Sequence, residues 1–501
     1  MRYLVALIKH LLLRSSLPVI DLFARSRRHR PVFRDRQSWE SIQPRDGSDP
    51  RWFPLDFPPR EHGTLHPLVH GDEYFTDLCE QLSKARERVT IAGWCLTPLM
   101  SLLRHDREGI AASLVANILR DVSERAEVYV LLWKGAPAIF EPTTKSVKLA
   151  REQLLRIAPR VQCALDGSAP FSHDEHQKAV TIDGRVAYVG GMDLTTYAGD
   201  RWDTARHPLR FGPSWHDVQM RIEGEAVRDV EENFVQRWNA VTGQSLQSLE
   251  PVVTDKMKTP VQVVRTIPKG FYTFAPEGIH GIGYAYLHAI SRAERFVYLE
   301  NQYLWAPDIV DALVDAMNRP HQGPFRIVMV LPAKAYTGKY DNDEHVRTLQ
   351  EADNGRGIFS AYCPYSAGPA IGPTGYHYLP VYVHAKVGIV DDTWLTVGSA
   401  NLNERGFSTD AEMNVQSISR DVAKRLRVKL WADHLHMEEG EVRAADPIAL
   451  IDTAWKQTAD QMSEAVKNRS VPPRGSIAHY MPGKNPGSWL LDGIQMLTLE
   501  H

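Results

Sequence analysis

Apolar residues recur along this chain in two rhythms. Short uninterrupted runs, Val128-Tyr129-Val130-Leu131-Leu132 and Ile327-Val328-Met329-Val330-Leu331, have the length and β-branched content of strands buried on both faces. Amphipathic stretches precede similar runs twice. Ser83-Lys84-Ala85-Arg86-Glu87-Arg88-Val89-Thr90-Ile91 and Ser291-Arg292-Ala293-Glu294-Arg295-Phe296-Val297-Tyr298-Leu299 each read as a helix end leading into a strand. Further on, Ala179, Val180 and Ile182 alternate into a tight turn at Asp183-Gly184, and Val186-Ala187-Tyr188-Val189 returns. Val387, Ile389 and Val390 do the same around Asp391-Asp392, with Trp394-Leu395-Thr396-Val397 returning. Strands interleaved with helices predict an α/β fold.

These paired features share one spacing. His176-Gln177-Lys178, with Asp183 and then Gly190-Gly191-Met192-Asp193, lies 208 positions before His384-Ala385-Lys386, with Asp391 and then Gly398-Ser399-Ala400-Asn401. A single His-x-Lys-x4-Asp match would arise about 0.05 times by chance in a chain this long, so one alone is weak. Two in register with other repeats indicate duplication of a large unit. The expected organisation is a basic segment over 1–45, a first half over 46–250, a second half over 251–445 and an extension over 446–501. Each half should be a mixed β-sheet flanked by helices, the two related by a pseudo-two-fold. The Gly-Pro-rich stretch 368–380 reads as a loop, placed to rim a site at the second motif.

Composition narrows the function classes. The 501 residues are 43% hydrophobic and 24% charged, a globular balance that excludes disordered and polytopic membrane chains. The net charge of −3 hides an uneven start. Residues 1–40 carry nine Lys and Arg against three acids, and the rest of the chain is correspondingly acidic. No basic groove is therefore expected, and nucleic acid is not an expected partner. The apolar run Tyr3–Ile8 with Leu11–Leu13 is too short and too interrupted to span a bilayer, but could lie as an amphipathic helix on an anionic surface. Four scattered cysteines give no zinc ribbon or disulfide framework. Asp433, His434 and His436 read as a solvated helix end rather than a metal site.

Alternation places His and Lys of each motif on one strand face. Doubled, the motif supplies two imidazoles flanked by two ammonium groups, which suits a phosphodiester. Lysines neutralise the non-bridging oxygens, one imidazole attacks phosphorus, and the other protonates the leaving alcohol. Opposite protonation states require different surroundings for the two rings. Asp217, 41 positions after His176, and Glu412, 28 positions after His384, are the candidate carboxylates, each expected to orient the imidazole of its own half. The hairpins return Ser399 and Asn401 toward the second motif.

Over roughly residues 70–440 these motifs resemble the phospholipase D superfamily, whose signature is the doubled His-x-Lys-x4-Asp. Leu299-Glu300-Asn301-Gln302-Tyr303, Gly199-Asp200-Arg201-Trp202-Asp203-Thr204 with His207-Pro208-Leu209, Trp215-His216-Asp217-Val218 and Phe234-Val235-Gln236-Arg237-Trp238-Asn239 are similar to the phosphatidylcholine-cleaving members of eukaryotic type. The resemblance implies one site between two halves, with His176 as nucleophile and His384 as general acid. Lys178, Lys386 and Asn401 would hold the phosphoryl group, Asp193 stands where the second copy has Asn401, and Asp183 and Asp391 complete the motifs while holding their hairpins. Arg201, Trp202 and Gln302 are candidates for substrate binding. No metal or other cofactor is expected to be required. The expected substrate is a glycerophospholipid at a membrane surface, handled by a monomer that is cytoplasmic or peripheral to the membrane, or exported as an effector. Alternatives are a cardiolipin-synthase-like phosphatidyltransferase, a nuclease, and a non-enzymatic anionic-lipid binding module.

Overall fold

The computed structural model describes residues 48–483, apart from 105–110, 138–141, 170–172, 198, 200, 211–213, 255, 257, 336–338 and 371–374; before residue 48 it describes 32–33 and 39–42. The apolar run of the basic segment lies outside the described residues.

The first half begins with β1 (Gly63–Val69), α1 (His70–Ser83), β2 (Arg88–Gly93), α2 (Val115–Ser123), β3 (Glu127–Trp133), α3 (Thr144–Ile157) and β4 (Gln162–Asp166). It continues through β5 (Ala179–Ile182), β6 (Val186–Gly190), β7 (Trp215–His216), β8 (Val218–Gly224) and α4 (Ala226–Thr242). Gly243, at φ 71°, ends α4 in the left-handed conformation, its N–H bonded to Asn239 O. The second half runs β9 (Gln262–Ile267), β10 (Ile279–His280), α5 (Gly281–Ser291), β11 (Phe296–Glu300), α6 (Pro307–Asn318), β12 (Arg326–Val330), α7 (Lys339–Asp353) and β13 (Phe359–Pro369). Then come β14 (Tyr376–Pro380), β15 (Tyr382–Val383), β16 (Val387–Val390), β17 (Trp394–Gly398), β18 (Glu412–Ser417) and α8 (Arg420–Leu435). Beyond it, β19 (Ile477–His479) adds to β13.

The duplication is written in the strand order. The first sheet reads β1-β8-β6-β5-β2-β3-β4 and the second contains β9-β18-β17-β16-β11-β12-β13. Directions match at every step: β2, β3 and β4 are parallel, as are β11, β12 and β13, and the remaining neighbours are antiparallel. The middle parallel strands, β3 and β12, are the continuous apolar runs, because helices cover one face and the other sheet covers the second. One buried cluster joins the sheets, with Val189, Met220 and Ile222 packed among Val397, Met413 and Val415. Phe234 and Trp238 of α4 and Leu426 and Trp431 of α8 close this layer. Outer cores lie under α1–α3, around Phe75, Leu119 and Leu154, and under α5–α7, around Leu287, Leu313 and Val346.

The two ends of the Gly-Pro-rich stretch are strand rather than loop. Residues Tyr365–Pro369 pair with Tyr376–Pro380 as an antiparallel ribbon. The motif turns do form as expected. Asp183 and Gly184 have φ 55° and 59°, and Asp391 and Asp392 have φ 54° and 51°. Positive φ at both central residues matches the right-handed twist of the strands they join.

Candidate active site

Both His-x-Lys segments sit just ahead of their strands, since β5 begins at Ala179 and β16 at Val387. In each, the lysine ammonium folds back onto the carbonyl of its own histidine: Lys178 Nζ to His176 O at 2.8 Å, and Lys386 Nζ to His384 O. Neither His-x-Lys pair lies within a strand, where alternation had placed it.

The carboxylates are exchanged between halves. His176 Nδ1 lies 2.8 Å from Glu412 Oε1, and His384 Nδ1 lies 2.7 Å from Asp217 Oδ2. This overturns the expectation that each carboxylate serves its own half. The backbone gives the reason. Glu175 bridges to Ala411, and His176 N–H donates to Ala411 O at 2.9 Å. Reciprocally, β15 pairs with β7, and His384 N–H donates to His216 O at 2.8 Å. Each histidine is therefore docked on the residue preceding the other half's carboxylate. Asp217 and Glu412 hold equivalent places: Gly190 pairs with Gln219 and Gly398 with Asn414, so each acid stands two residues before the partner of its motif glycine. A Cβ at Gly190 would lie 2.3 Å from Gln219 Oε1, and one at Gly398 2.0 Å from Asn414 Oδ1, so neither position admits a side chain.

Burial and charge set the protonation states. Desolvation, followed by the charges of Lys178 and Lys386, holds His176 well below the ordinary imidazole value. Burial, Lys386 and Arg201 do the same to His384. Both rings are neutral at rest. Burial raises both carboxyls, Glu412 much further than Asp217. Burial, reinforced by the charge of Lys178, pushes Lys386 down to about 7, although Asp217 opposes the shift. Burial is the largest cause of each of these shifts, and an anion between the lysines would favour their charged forms.

Several other residues gather here. Asp193 Oδ2 lies 3.1 Å from Lys178 Nζ, and its Oδ1 accepts Trp94 N–H at 3.0 Å. Ser399 Oγ donates to Glu412 Oε2. Gln302 Oε1 accepts from Lys386 at 3.4 Å, while its Nε2 donates to Tyr382 OH at 2.7 Å. Arg201 spreads its guanidinium 4.7 Å from the Trp215 ring centroid, and that ring lies 5.0 Å from His384. Asn401 is buried, its Oδ1 without a hydrogen-bond partner among the described residues.

Asp183, Asp391 and Trp202 lie away from this cluster. Asp183 and Asp391 are remote from the imidazoles, at the far ends of β5 and β16. Asp183 accepts the N–H groups of Arg86, Glu87 and Arg88 at 2.8, 2.8 and 2.9 Å. Asp391 accepts those of Glu294, Arg295 and Phe296 at 2.6, 2.8 and 2.7 Å. They fasten the loop entering the neighbouring strand, a structural task. Trp202 is buried in the outer core of the first half, between Arg104 and Arg210.

Sequence reasoning missed Trp94 and Trp215, whose rings face His176 and His384. It also misjudged Asp433 and His434, which are buried rather than solvated. Trp215 had a signal, because it adjoins His216-Asp217. Trp94 had only its place at the end of a buried strand.

The chain is similar to several known proteins. The family described as "Phospholipase D" matches residues 210–309, and "Cardiolipin synthase, PLD-like domain" matches residues 286–434. Phospholipase D A of Dictyostelium discoideum is 24% identical over 76% of the chain, phospholipase D1 of Saccharomyces cerevisiae 25% over 75%, and phospholipase D alpha 4 of Arabidopsis thaliana 25% over 72%. The chain spans 36%, 28% and 63% of the lengths of these relatives. The crystal structure of a phosphatidylserine synthase from Haemophilus influenzae shares the fold, with a TM-score of 0.52 at 12% identity, over 80% of this chain and 95% of that one.

Proposed function

We propose, from the premise that the chain belongs to the phospholipase D superfamily, that it cleaves glycerophospholipids at a membrane surface to phosphatidic acid and free headgroup. The observation that carries this reading is the pair of crossed histidine–carboxylate contacts flanked by two motif lysines.

The chemistry divides into two steps. His176 Nε2 attacks phosphorus while Glu412 holds its Nδ1; a P–N bond forms and the P–O bond to the headgroup breaks. His384 gives the departing alkoxide a proton. Its imidazolium rests on Asp217, the acid nearer the ionised form, which also accepts Val218 N–H at 2.8 Å. Neutral His384 then takes a proton from water, whose oxygen attacks phosphorus and breaks the P–N bond. An alcohol in place of that water yields a transferred phosphatidyl group. Lys178, Lys386 and Asn401 offset the charge on the non-bridging oxygens in both transition states. Neutral imidazoles at rest fit this order, because the arriving phosphate supplies the negative charge that lets His384 take up its proton.

No described helix is long and apolar enough to cross a membrane, so substrate is taken to be reached from the surface. The test is incubation with phosphatidylcholine or phosphatidylethanolamine vesicles containing ethanol. Phosphatidic acid and phosphatidylethanol are expected, both abolished in His176→Asn. Cardiolipin from phosphatidylglycerol alone, or single-stranded DNA degradation with lipid untouched, would overturn the reading.

A further inference from the structure

Behind the His384–Asp217 pair lies a second polar cluster that the chemistry above does not use. His70 begins α1, His207 lies in the loop between β6 and β7, His216 lies in β7 and His434 in α8; their exposures are 2%, 1%, 0% and 0%. His70, His207 and His216 meet with ring centroids 4.8, 5.2 and 5.3 Å apart. Such a gathering of imidazoles in the interior needs either shared protons or something held between them.

A carboxylate beside one ring nitrogen directs which nitrogen remains for an ion. His207 Nδ1 lies 2.8 Å from Asp203 Oδ2, and a neutral ring donating there presents Nε2 as a lone pair. His216 Nε2 lies 2.6 Å from Glu300 Oε2, leaving Nδ1 as a lone pair. Those two nitrogens, His207 Nε2 and His216 Nδ1, are buried without a hydrogen-bond partner among the described residues. His70 Nε2 and His207 Nε2 approach the same oxygen, Asp433 Oδ2, at 3.0 and 3.5 Å. One ligand atom from each of His70, His207, His216 and Asp433 falls within 4.8 Å of the others. Tetrahedral zinc with bonds of about 2.0–2.1 Å separates its ligand atoms by about 3.3 Å, so modest side-chain movement closes the set.

We propose that His70, His207, His216 and Asp433 form a structural site for a zinc-class divalent ion. Three imidazoles and one carboxylate suit zinc over calcium or magnesium, which take oxygen ligands. Asp203 and Glu300 are the outer carboxylates that commonly orient ligating histidines. Four protein ligands leave no open position, so the ion holds structure and does not activate water. It ties α1, the His207 loop and β7 of the first half to α8 of the second. Two of its ligands also touch the active-site backbone: His70 N–H donates to Asp217 O at 2.9 Å, and His216 O accepts from His384.

The test is metal analysis of the full chain purified without chelator from zinc-supplemented culture. About one zinc per chain is expected in the wild type and equally in His176→Asn, with loss in His207→Gln and His216→Gln. Dipicolinate should lower Tm and added Zn2+ restore it. Cobalt exchanged into the wild type should show the intense visible absorption of four-coordinate Co2+, a readout that needs no variant to fold. Metal below about 0.1 per chain with Tm indifferent to chelator and zinc, or zinc retained undiminished in folded His207→Gln, would overturn the proposal and leave a histidine–carboxylate hydrogen-bond network.

Discussion

Lys178 in the first half is ion-paired with Asp193; Lys386 in the second has Asn401 at the corresponding position and is pushed down to about 7. Gly191 leaves room for the Asp217 carboxylate, whose Oδ1 would lie 2.1 Å from a Cβ there; its counterpart Ser399 fills that room and donates to Glu412. Strand order, turns and docking of the histidines are shared, and the charge around them is not. Duplication thus yields a scaffold in which two chemically identical groups stand among different neighbours, which is what the different tasks proposed for them require.

The largest effects should come from the histidines. His176→Asn and His384→Asn should each lower kcat on phosphatidylcholine by at least about 10^3-fold. They should part on an activated substrate such as p-nitrophenyl phosphocholine, whose leaving group needs no proton. His384→Asn should still release nitrophenol in a burst and accumulate phosphoenzyme on residue 176, while His176→Asn should do neither. A burst from His176→Asn instead would reverse the assignment of halves.

The crossing of carboxylates is tested next, at about 10^2-fold in kcat. Asp217→Asn should behave like a defect of His384, severe on phosphatidylcholine and mild on the nitrophenyl ester; Glu412→Gln should impair both. In double-mutant cycles Asp217 should couple to His384 and not to His176, although Asp217 and His176 share a half. Additivity of Asp217 with His384 would break the comparison at its root.

A smaller effect, about tenfold, concerns the lysines. A lysine at about 7 is charged below that pH and neutral above it, so a phosphate-binding cation is lost as pH rises. The kcat/KM profile should fall through about pH 7. Asn401→Asp gives Lys386 the kind of partner Lys178 has, which raises its pKa. The alkaline limb should move up by about one unit while KM rises roughly tenfold, because the new carboxylate also repels the substrate phosphate. A limb that stays in place would assign it to another group.

How much of this was legible follows from what sequence spacing can carry. The 208-residue repeat announced two equivalent halves, and the types of residue in each motif pointed to the phosphodiester chemistry proposed above. Asp217 and Glu412 could be named because acids must attend imidazoles. Their exchange could not, since distance along the chain says nothing about which strand bridges to which; that is decided by Glu175 meeting Ala411 and Val383 meeting His216. The buried histidines come from four separate segments and share no spacing. One clue stood in plain view: Glu300 ends an otherwise apolar buried strand. Burial alone would raise its carboxyl, yet His216 and His434 hold it well below the ordinary range. An acid at such a position announces buried partners without naming them.

Where the halves are alike, they should respond alike, and Asp183 and Asp391 provide the control. Each carboxylate collects three backbone N–H groups from the loop entering the neighbouring strand, at nearly the same distances. Each also holds a positive φ, which Asn tolerates better than Ala. Asp183→Ala and Asp391→Ala should therefore each cost about 1–3 kcal/mol of stability, read as a lowered Tm, and the Asn variants less. Neither carboxylate touches an imidazole, so kcat per folded molecule should stay within about twofold of wild type in all four. A kcat loss confined to Asp391→Ala, with Tm unmoved, would mean that the second motif's aspartate reaches the chemistry and that the halves differ in scaffold as well as in charge.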